Sequence, residues 1–183
     1  LPEVQARIDD LLQVRGLNGC VLVAIAPDAK RSTNRWPPER FAEIGRMLAD
    51  SNRSIVLIAG GANAKLCEEL ASQMGSHAHS FAGALSLPES IELLRRCRLL
   101  ICVDSGVQHL AAAVGTLCIS LFSFWQMRGK WHPYGWRNLV LQKWVPCHTC
   151  LREVCPNDNR CIKAIGVEEV MQHAEQMLHR QAA

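Results

Sequence analysis

Short runs of apolar residues alternate along this chain with longer segments of helical periodicity, and this alternation restricts the fold more than any other feature. The helical segments carry apolar residues on one face, as Phe41, Ile44 and Leu48 do in the segment 38–50. Apolar runs without polar alternation predict strands that are buried on both faces, and such strands alternating with helices are typical of a parallel sheet. We therefore expect an α/β fold, a doubly wound Rossmann-like parallel sheet with helices on both faces.

The elements can be placed from these patterns. The first residues form a predicted helix that ends at Gly16, which we assign as a linker helix (1–17) before a Rossmann-like domain (18–183). Because the chain begins at Leu1 rather than Met, we expect it to be a piece of a longer protein. The predicted strands are 20–26, 54–59, 99–103, 118–122 and 138–141, and the other predicted helices are 38–50, 64–74, 88–96, 107–114 and 167–179.

Composition excludes several classes of protein. The 183 residues are 49% hydrophobic and 20% charged, which is typical of a globular domain. The formal net charge is only +3, so we expect no nucleic acid partner. The longest apolar runs, such as 21–26, are too short to cross a bilayer, and no signal peptide is visible. Nine cysteines without the layout of a secreted disulfide scaffold indicate a reducing, cytoplasmic compartment.

The sharpest candidate site is the turn after the third predicted strand, where Asp104, Ser105 and Gly106 lead straight into a helix of small residues. Ser105 is expected to cap that helix, and Gly106 allows a close backbone approach. The free N–H groups of a helix start bind anions, and His109 in the first turn can point to the same place. An oxygen-rich ligand such as a nucleotide diphosphate fits this arrangement. The alternative is a plain turn in which His109 packs.

Cations and glycines follow the first two predicted strands. The loop after the first strand carries Lys30, Asn34 and Arg35 beside a helix start, a combination that suits phosphate. The alternative is a solvated loop, because loops often hold Lys and Arg. Gly60 and Gly61 follow the second strand, but a glycine pair is a common turn former and is a weak signal on its own.

Aromatic residues cluster late in the chain, since seven of the ten Phe, Trp and Tyr residues fall within 122–144. The loop 124–136 is too long and too aromatic to be only a connector. Aromatic rings can stack on a base or sugar, or they can cover the sheet edge or pack against a partner domain. We expect packing for Trp136 and Trp144, and both roles stay open for Trp125 and Trp131.

Four thiols crowd into the segment 146–162, which we call the cysteine loop. Such a density of thiolates suits a closed, structural site for tetrahedral Zn²⁺ or iron, and His148 is a possible substitute ligand. A metal would fold a segment that has almost no apolar content of its own. Disulfides and metal-free thiols are the alternatives. The predicted ligands are Cys147, Cys150, Cys155 and Cys161.

These motifs together resemble glycosyltransferase family 9, the ADP-heptose:lipopolysaccharide heptosyltransferases of Gram-negative bacteria. The resemblance runs from about Gly19 onward, and its most specific part is the stretch from Asp104 to His109 in its strand–helix context. The other matching stretches are 35–37, 81–87, 99–103, 121–122, 132–135 and the cysteine loop.

The resemblance implies one half of a GT-B glycosyltransferase, namely the C-terminal domain that binds the nucleotide sugar ADP-heptose. The catalytic base and the lipopolysaccharide inner-core acceptor then belong to a missing N-terminal domain, so no catalytic residue is expected here and the fragment alone is expected to be inactive. An acceptor hydroxyl would displace ADP with inversion, with no cofactor required for catalysis. The implied location is the cytoplasm, with peripheral attachment to the inner face of the inner membrane as an option.

By position, the resemblance assigns Asp104 and His109 to the donor's sugar or phosphates, and the backbone N–H groups of Ser105 and Gly106 to the diphosphate. The implied donor-binding set also includes Lys30, Asn34, Arg35, Gly60 and Gly61.

The chain departs from the family pattern at three positions. Asn34 stands where many members have Lys, Asp28 stands where Gly usually follows Pro27, and Asn63 stands where some members have an acidic residue. Two other functions remain open, namely a family 9 transferase for another nucleotide sugar or acceptor, and a non-catalytic, metal-stabilised Rossmann-like binding module.

Overall fold

The computed structural model describes residues 1–180 and contains a six-stranded sheet in which every neighbouring pair of strands is parallel. The strand order is β3-β2-β1-β4-β5-β6. This is the doubly wound order, so the predicted fold class is confirmed. The strands are β1 (Val21–Ala26), β2 (Arg53–Leu57), β3 (Ala78–Ser80), β4 (Cys97–Val103), β5 (Leu117–Phe122) and β6 (Leu139–Gln142).

Seven helices cover the two faces of the sheet, and most of them match the predicted segments to within one or two residues. The strand β3 was missed because its three residues include no apolar run, and α6 was missed because it is a single turn. The helices are α1 (Pro2–Val14), α2 (Pro38–Leu48), α3 (Ala64–Met74), α4 (Leu87–Arg96), α5 (Gly106–Ala113), α6 (Arg160–Lys163) and α7 (Val167–Arg180).

Two buried clusters sandwich the sheet, because successive side chains of a strand point to opposite faces. On β1, Val23 and Ile25 join the cluster under α2, α3 and α7, whereas Leu22 and Ala24 join the cluster on the other face. Every one of these four side chains is at most 3% exposed. The uniform burial explains why the strand is apolar throughout, and no helix among residues 1–180 is long and apolar enough to cross a membrane.

The N-terminal helix α1 is part of this domain's core. Ile8 and Leu12 are buried in the cluster that also contains Leu93 of α4. An ion pair of 2.8 Å between Arg96 and Asp9 also joins the two helices. The helix therefore belongs to the folded body in its own right, and its predicted role as a linker between domains stays a prediction.

The sheet order creates one crevice where ligands bind in folds of this kind. The chain moves from β1 outward to β2 and β3, then returns to β4 on the other side of β1. The loops that follow β1 and β4 consequently leave the same edge of the sheet in opposite directions. Such a topological switch point is the place where open α/β sheets bind their ligands.

Candidate functional site

The carboxyl end of β4 delivers Asp104 to this switch point. Its backbone N–H donates to the Leu121 carbonyl at 3.3 Å, which extends the pairing of β4 with β5 by one residue. The loop after β1 is fixed on the other side by Trp36, a fully buried ring whose Nε1 donates to the Ile165 carbonyl at 3.0 Å. Hydrogen bonds therefore hold both the turn after β4 and the loop after β1 in place.

Amides hold both carboxylate oxygens of Asp104. Asn34 Nδ2 donates to Oδ2 at 3.0 Å, and Gln108 Nε2 donates to Oδ1 at 3.3 Å. Asn34 is itself held, because its Oδ1 accepts a hydrogen bond from the Ser123 hydroxyl at 2.5 Å. Asn34, Gln108 and Ser123 are all buried, so these bonds form away from competing water. The network fixes the orientation of one half-buried carboxylate.

The surroundings change the acidity of Asp104. Burial raises the pKa of this carboxyl above its ordinary value, while His109, the bond from Gln108 and the charge of Arg31 act in the opposite direction. When Asp104 is ionised, its two oxygens can accept more hydrogen bonds than the two that Asn34 and Gln108 donate. This capacity suits the hydroxyl groups of a sugar better than a phosphate, which a carboxylate repels.

A cleft of about 380 Å³ opens beside Asp104. Arg31 lies over the ring of Trp125 at 4.1 Å from its centroid, and Trp131 Nε1 donates to Gln126 Oε1 at 3.0 Å. The cleft thus combines three cations with two indole rings. Trp125 and Trp131 both line it, and this position is compatible with either of the roles expected for them. The lining residues are Lys30, Arg31, Asn34, Asp104, Trp125, Gln126, Lys130 and Trp131.

The start of α5 differs from the prediction in one respect. Ser105 occupies the N-cap position, but its side chain accepts no hydrogen bond from the helix, so the expected cap is wrong. Its Oγ is instead buried without a partner among residues 1–180, as are Gln108 Oε1 and the Trp125 indole nitrogen. A buried polar atom without a hydrogen-bond partner costs free energy of folding. Ser105 follows Asp104 directly, Gln108 is bonded to Asp104, and Trp125 lines the cleft beside it. Gly106 and His109 are exposed at the same helix start, where the first N–H groups are free for an anion.

Arg35 belongs to a neighbouring cleft of about 350 Å³ rather than to the one beside Asp104. It forms an ion pair of 3.1 Å with Asp28, and the second oxygen of Asp28 accepts a bond of 2.7 Å from Asn63 Nδ2. Two of the departures from the family pattern, Asp28 and Asn63, are therefore direct partners. They connect the loops that follow β1 and β2.

The glycine pair after β2 lies outside the lining of the cleft beside Asp104. Gly60 and Gly61 are exposed, and the backbone of Gly61 runs against that of Gly83. A Cβ on Gly83 would meet the Gly61 Cα at 2.8 Å, and Gly83 has a φ of +72°. The pair permits a close approach between the loops after β2 and β3. Its assignment to the ligand stays a prediction.

Trp136 and Trp144 are not buried by other parts of residues 1–180, and their packing against a partner domain stays a prediction. Their exposed fractions are 93% and 66%. Trp136 lies in the long connection between β5 and β6, and Trp144 follows β6.

The cysteine loop does not form a ligand cluster as its side chains are placed. All four thiols are half-buried and free, and across residues 1–180 no three His, Cys, Asp or Glu side chains are grouped to bind a metal. The Cys161 sulfur accepts the N–H of Phe124 at 3.3 Å, while burial and the nearby Cys155 raise its pKa. The predicted metal site at Cys147, Cys150, Cys155 and Cys161 stays a prediction.

Sequence reasoning missed the residues that hold Asp104. Gln108 and Ser123 were not predicted, although Gln108 lies one helical turn after Asp104 and is a buried polar residue of α5. A buried polar side chain normally has a partner, so this position carried a signal. The contact of Ser123 with Asn34 spans 89 residues and left no local signal.

The chain is similar in sequence to proteins of one family. Residues 6–160 match the model of glycosyltransferase family 9 (heptosyltransferase). A lipooligosaccharide heptosyltransferase 2 of Campylobacter jejuni is 23% identical over 168 residues, which are 88% of this chain and 52% of that protein. The chain thus spans about half the length of this relative.

Solved structures share the fold at low sequence identity. A glycosyltransferase family 9 protein from Veillonella parvula has a TM-score of 0.85 and 21% identity, covering 97% of this chain and 52% of its own. An iron-containing dodecameric heptosyltransferase of enterotoxigenic Escherichia coli, solved in complex with ADP-D-β-D-heptose, has a TM-score of 0.66 and 17% identity. It covers 89% of this chain and 46% of its own.

Proposed function

Because the chain belongs to glycosyltransferase family 9, the heptosyltransferases, we propose that it is the part of an inverting heptosyltransferase that binds the donor ADP-heptose. The observation that carries the proposal is the cleft at the switch point, where Lys30, Arg31 and Lys130 line the same cavity as the fixed carboxylate of Asp104. The complex of an Escherichia coli relative with ADP-D-β-D-heptose supports this choice of donor.

The proposed roles divide by charge. The exposed cations Lys30 and Lys130, together with Arg31 and the first N–H groups of α5, stabilise the diphosphate as negative charge develops on the leaving ADP. Asp104 accepts hydrogen bonds from sugar hydroxyls, because its two amide partners leave lone pairs available. His109 lies on the exposed side of the same helix start and contributes a donor to the diphosphate.

Asn34 has a different proposed role from the Lys that many family members carry at this position. Its oxygen and its nitrogen are each engaged, with Ser123 and Asp104 respectively, so it orients the carboxylate. The positive charge of the cleft then comes from other residues. A direct contact of Asn34 or Arg35 with the donor is the weaker assignment, because Arg35 pairs with Asp28 in the neighbouring cleft.

The chemistry proposed for the whole enzyme is a displacement at the anomeric carbon. A hydroxyl of the lipopolysaccharide inner-core acceptor forms the new bond as the bond to ADP breaks, and its proton passes to a base outside this chain. We propose that the 183-residue chain alone binds the donor and transfers nothing. Transfer of heptose to a lipid A acceptor by this chain alone would contradict that claim. The proposed place of action is the cytoplasm, at the inner face of the inner membrane.

Calorimetric titration with ADP-heptose tests the proposal, with ADP and UDP as comparison ligands. We expect saturable binding of both adenine ligands and at least tenfold weaker binding of UDP. Equal binding of UDP would favour a transferase for another nucleotide sugar. Absence of nucleotide binding by a sample with cooperative unfolding would favour the non-catalytic binding module.

We also propose that the cysteine loop takes up a structural Zn²⁺ or iron, supported by four thiols in one segment and by its backbone. All four non-glycine residues of 1–180 with left-handed φ, between 50° and 53°, lie in this loop: Thr149, Leu151, Asp158 and Asn159. Such conformations persist only where the surroundings enforce them. Elemental analysis of protein purified without chelator, beside thiol titration, tests the proposal. One metal per chain is expected, whereas four titratable thiols without metal, or two disulfides, would contradict it.

A further inference from the structure

Gln108 of α5 is a fully buried glutamine that forms two hydrogen bonds through one nitrogen atom. Its Nε2 donates to Asp104 Oδ1 at 3.3 Å and to the Trp131 carbonyl at 3.2 Å. Side chains of a helix lean toward its N-terminus, so Gln108 reaches back to a residue one turn before it. Asp104 and Trp131 both line the cleft at the switch point. Gln108 therefore joins two parts of the lining of that cleft.

Packing alone does not account for a glutamine at this position. The Oε1 atom of Gln108 is buried and has no hydrogen-bond partner within residues 1–180. A buried polar atom without a partner lowers stability, whereas an apolar side chain of similar size would avoid that loss. Such departures from the most stable choice of residue are expected where a side chain serves a functional site.

The Trp131 carbonyl fixes which end of the Gln108 amide faces Asp104. A carbonyl oxygen accepts hydrogen bonds and cannot donate them, so only the nitrogen of Gln108 can bond to Trp131. The same nitrogen then faces Asp104 Oδ1. If the amide were turned over, its oxygen could accept a hydrogen bond from a protonated Asp104, but the Trp131 carbonyl would lose its donor. The arrangement therefore favours the ionised form of Asp104.

Charged side chains near Asp104 come from the loop after β1, from α5 and from the connection between β5 and β6. Burial raises the pKa of Asp104, and the bond from Gln108 opposes that rise, as do two of these charges. Most of the charged groups are exposed, so water and salt weaken their effect, whereas the bond from Gln108 is shielded from both. The charged residues concerned are Lys30, Arg31, His109 and Lys130.

We propose that Gln108 is a positioning residue of the donor site, which keeps the Asp104 carboxylate ionised and connects it to the segment around Trp131. Gln108 acts through other residues, because its own side chain is fully buried. Asp104 is the group that the proposed function assigns to the sugar hydroxyls, and Trp131 adjoins Lys130, which it assigns to the diphosphate. The inference rests on that proposed function for the ligand, but the effect of Gln108 on Asp104 is measurable without a ligand.

Carbon-13 NMR of the side-chain carboxyl groups, recorded on the ligand-free 183-residue chain across pH, tests the inference. The variant Asp104→Asn identifies the Asp104 resonance. Gln108→Met removes the amide but keeps a side chain of similar size, and the pKa of Asp104 should rise because its ionised form loses a hydrogen-bond donor. Gln126→Met is the matched control, since Gln126 is also a buried glutamine of the cleft but bonds to Trp131 instead of Asp104. This control should leave the pKa of Asp104 at the parent value.

An unchanged pKa of Asp104 in Gln108→Met would overturn the inference. Equal rises in the two methionine variants would also overturn it, because they would report a general loosening of the cleft. The parent chain offers a second measurement that does not depend on the folding of a variant. The side-chain N–H resonances of Gln108 should shift with the same midpoint as the Asp104 carboxyl, and resonances that do not respond to this titration would contradict the bond between the two residues.

Calorimetric titration with ADP-heptose at several pH values separates this inference from the proposed function. Gln108→Met should weaken binding roughly tenfold at neutral pH. Its affinity should also begin to fall at a higher pH than that of the parent, because Asp104 is protonated earlier. A loss of equal size at every pH would indicate a merely structural role and contradict the inference. If the parent does not bind ADP-heptose while Gln108→Met still raises the pKa of Asp104, the proposed function is wrong and the control of Asp104 by Gln108 stands.

Discussion

The support beneath Asp104 and the cysteine loop lie side by side but are stabilised in different ways. Asp104 follows a buried strand, and amides from two other elements hold its two oxygens. The cysteine loop has no strand of its own and contains every non-glycine residue of 1–180 in the left-handed region. Buried hydrogen bonds fix the first region from within. For the second region we propose a metal as the main stabilising agent.

The two regions are nevertheless connected. The N–H of Thr149 donates to the Phe124 carbonyl at 2.7 Å, and that of Leu151 donates to the Trp125 carbonyl at 2.9 Å. Glu153 pairs with Arg31, which lies over the Trp125 ring. The cysteine loop therefore supports the outer wall of the cleft, while the sheet supports the inner wall. A change in either region should alter ligand affinity or the free energy of unfolding, and the size of the effect should differ between the two regions.

The largest expected effect is on stability, at the centre of the hydrogen-bonded region. Asn34→Leu leaves the Asp104 carboxylate and the Ser123 hydroxyl without their partner, and should lower the free energy of unfolding by about 3 kcal/mol. Denaturant unfolding followed by circular dichroism measures this change. Asn18→Leu, at an exposed turn, is the control and should stay within about 0.5 kcal/mol of the parent protein. Equal values for the two variants would show that the network does not stabilise the fold.

The second expected effect concerns the ligand. Asp104→Asn removes the charge that we assign to sugar hydroxyls and should weaken binding of ADP-heptose roughly thirtyfold, as expected for a hydrogen bond to a charged group. Affinity for ADP, which lacks the sugar, should change far less. The exposed carboxylate variant Asp10→Asn provides the reference in the same titrations. A parallel loss for ADP and ADP-heptose would place Asp104 at the diphosphate instead.

The third expected effect comes from the cysteine loop. If the loop holds a metal, removing it with a chelator should weaken ADP-heptose binding roughly fivefold, at the low end of couplings between separate sites. Trp125 and Arg31 would transmit the loss. Cys147→Ser should reproduce it, whereas Cys67→Ser, at a buried cysteine of α3, should leave chelator sensitivity intact. If chelation leaves the affinity for ADP-heptose unchanged, the cysteine loop does not influence ligand binding in the cleft.

The smallest expected effect is that donor affinity and the free energy of unfolding change in opposite directions as the pH falls. Burial raises the pKa of Asp104, so its ionised form costs folding free energy. As the pH falls through the interval between the unfolded and the raised pKa, Asp104 should add to the free energy of unfolding, while donor affinity should decline severalfold. Asp104→Asn should abolish both trends. Titration and thermal unfolding across this interval check the signs, and trends in the same direction would contradict the assignment.

The pattern of apolar runs was sufficient for most of the fold. It located five of the six strands, because strands buried on both faces are apolar throughout, as all six residues of β5 are. It failed at β3, which lies at the sheet edge with only half-buried residues.

The candidate site likewise contains residues that the sequence revealed and residues that only the structure revealed. Asp104 was found because strand, turn and helix start are adjacent in sequence and leave a local signature. Ser123 was not found, because its relation to Asn34 exists only through the side-by-side pairing of strands distant in sequence. Asp28 and Asn63 each departed from the family pattern, and only the structure revealed that they are partners.

The sequence by itself determined that this chain forms a parallel α/β sheet, which loops leave its carboxyl edge, and which family it resembles. These properties follow from local periodicity and from motifs that are short along the chain. The tertiary structure alone decided that β1 lies next to β4 and that an amide from one loop holds the carboxylate of the other. The reason is that strand order and hydrogen-bond partners are set by contacts between residues far apart in sequence, for which no local pattern exists.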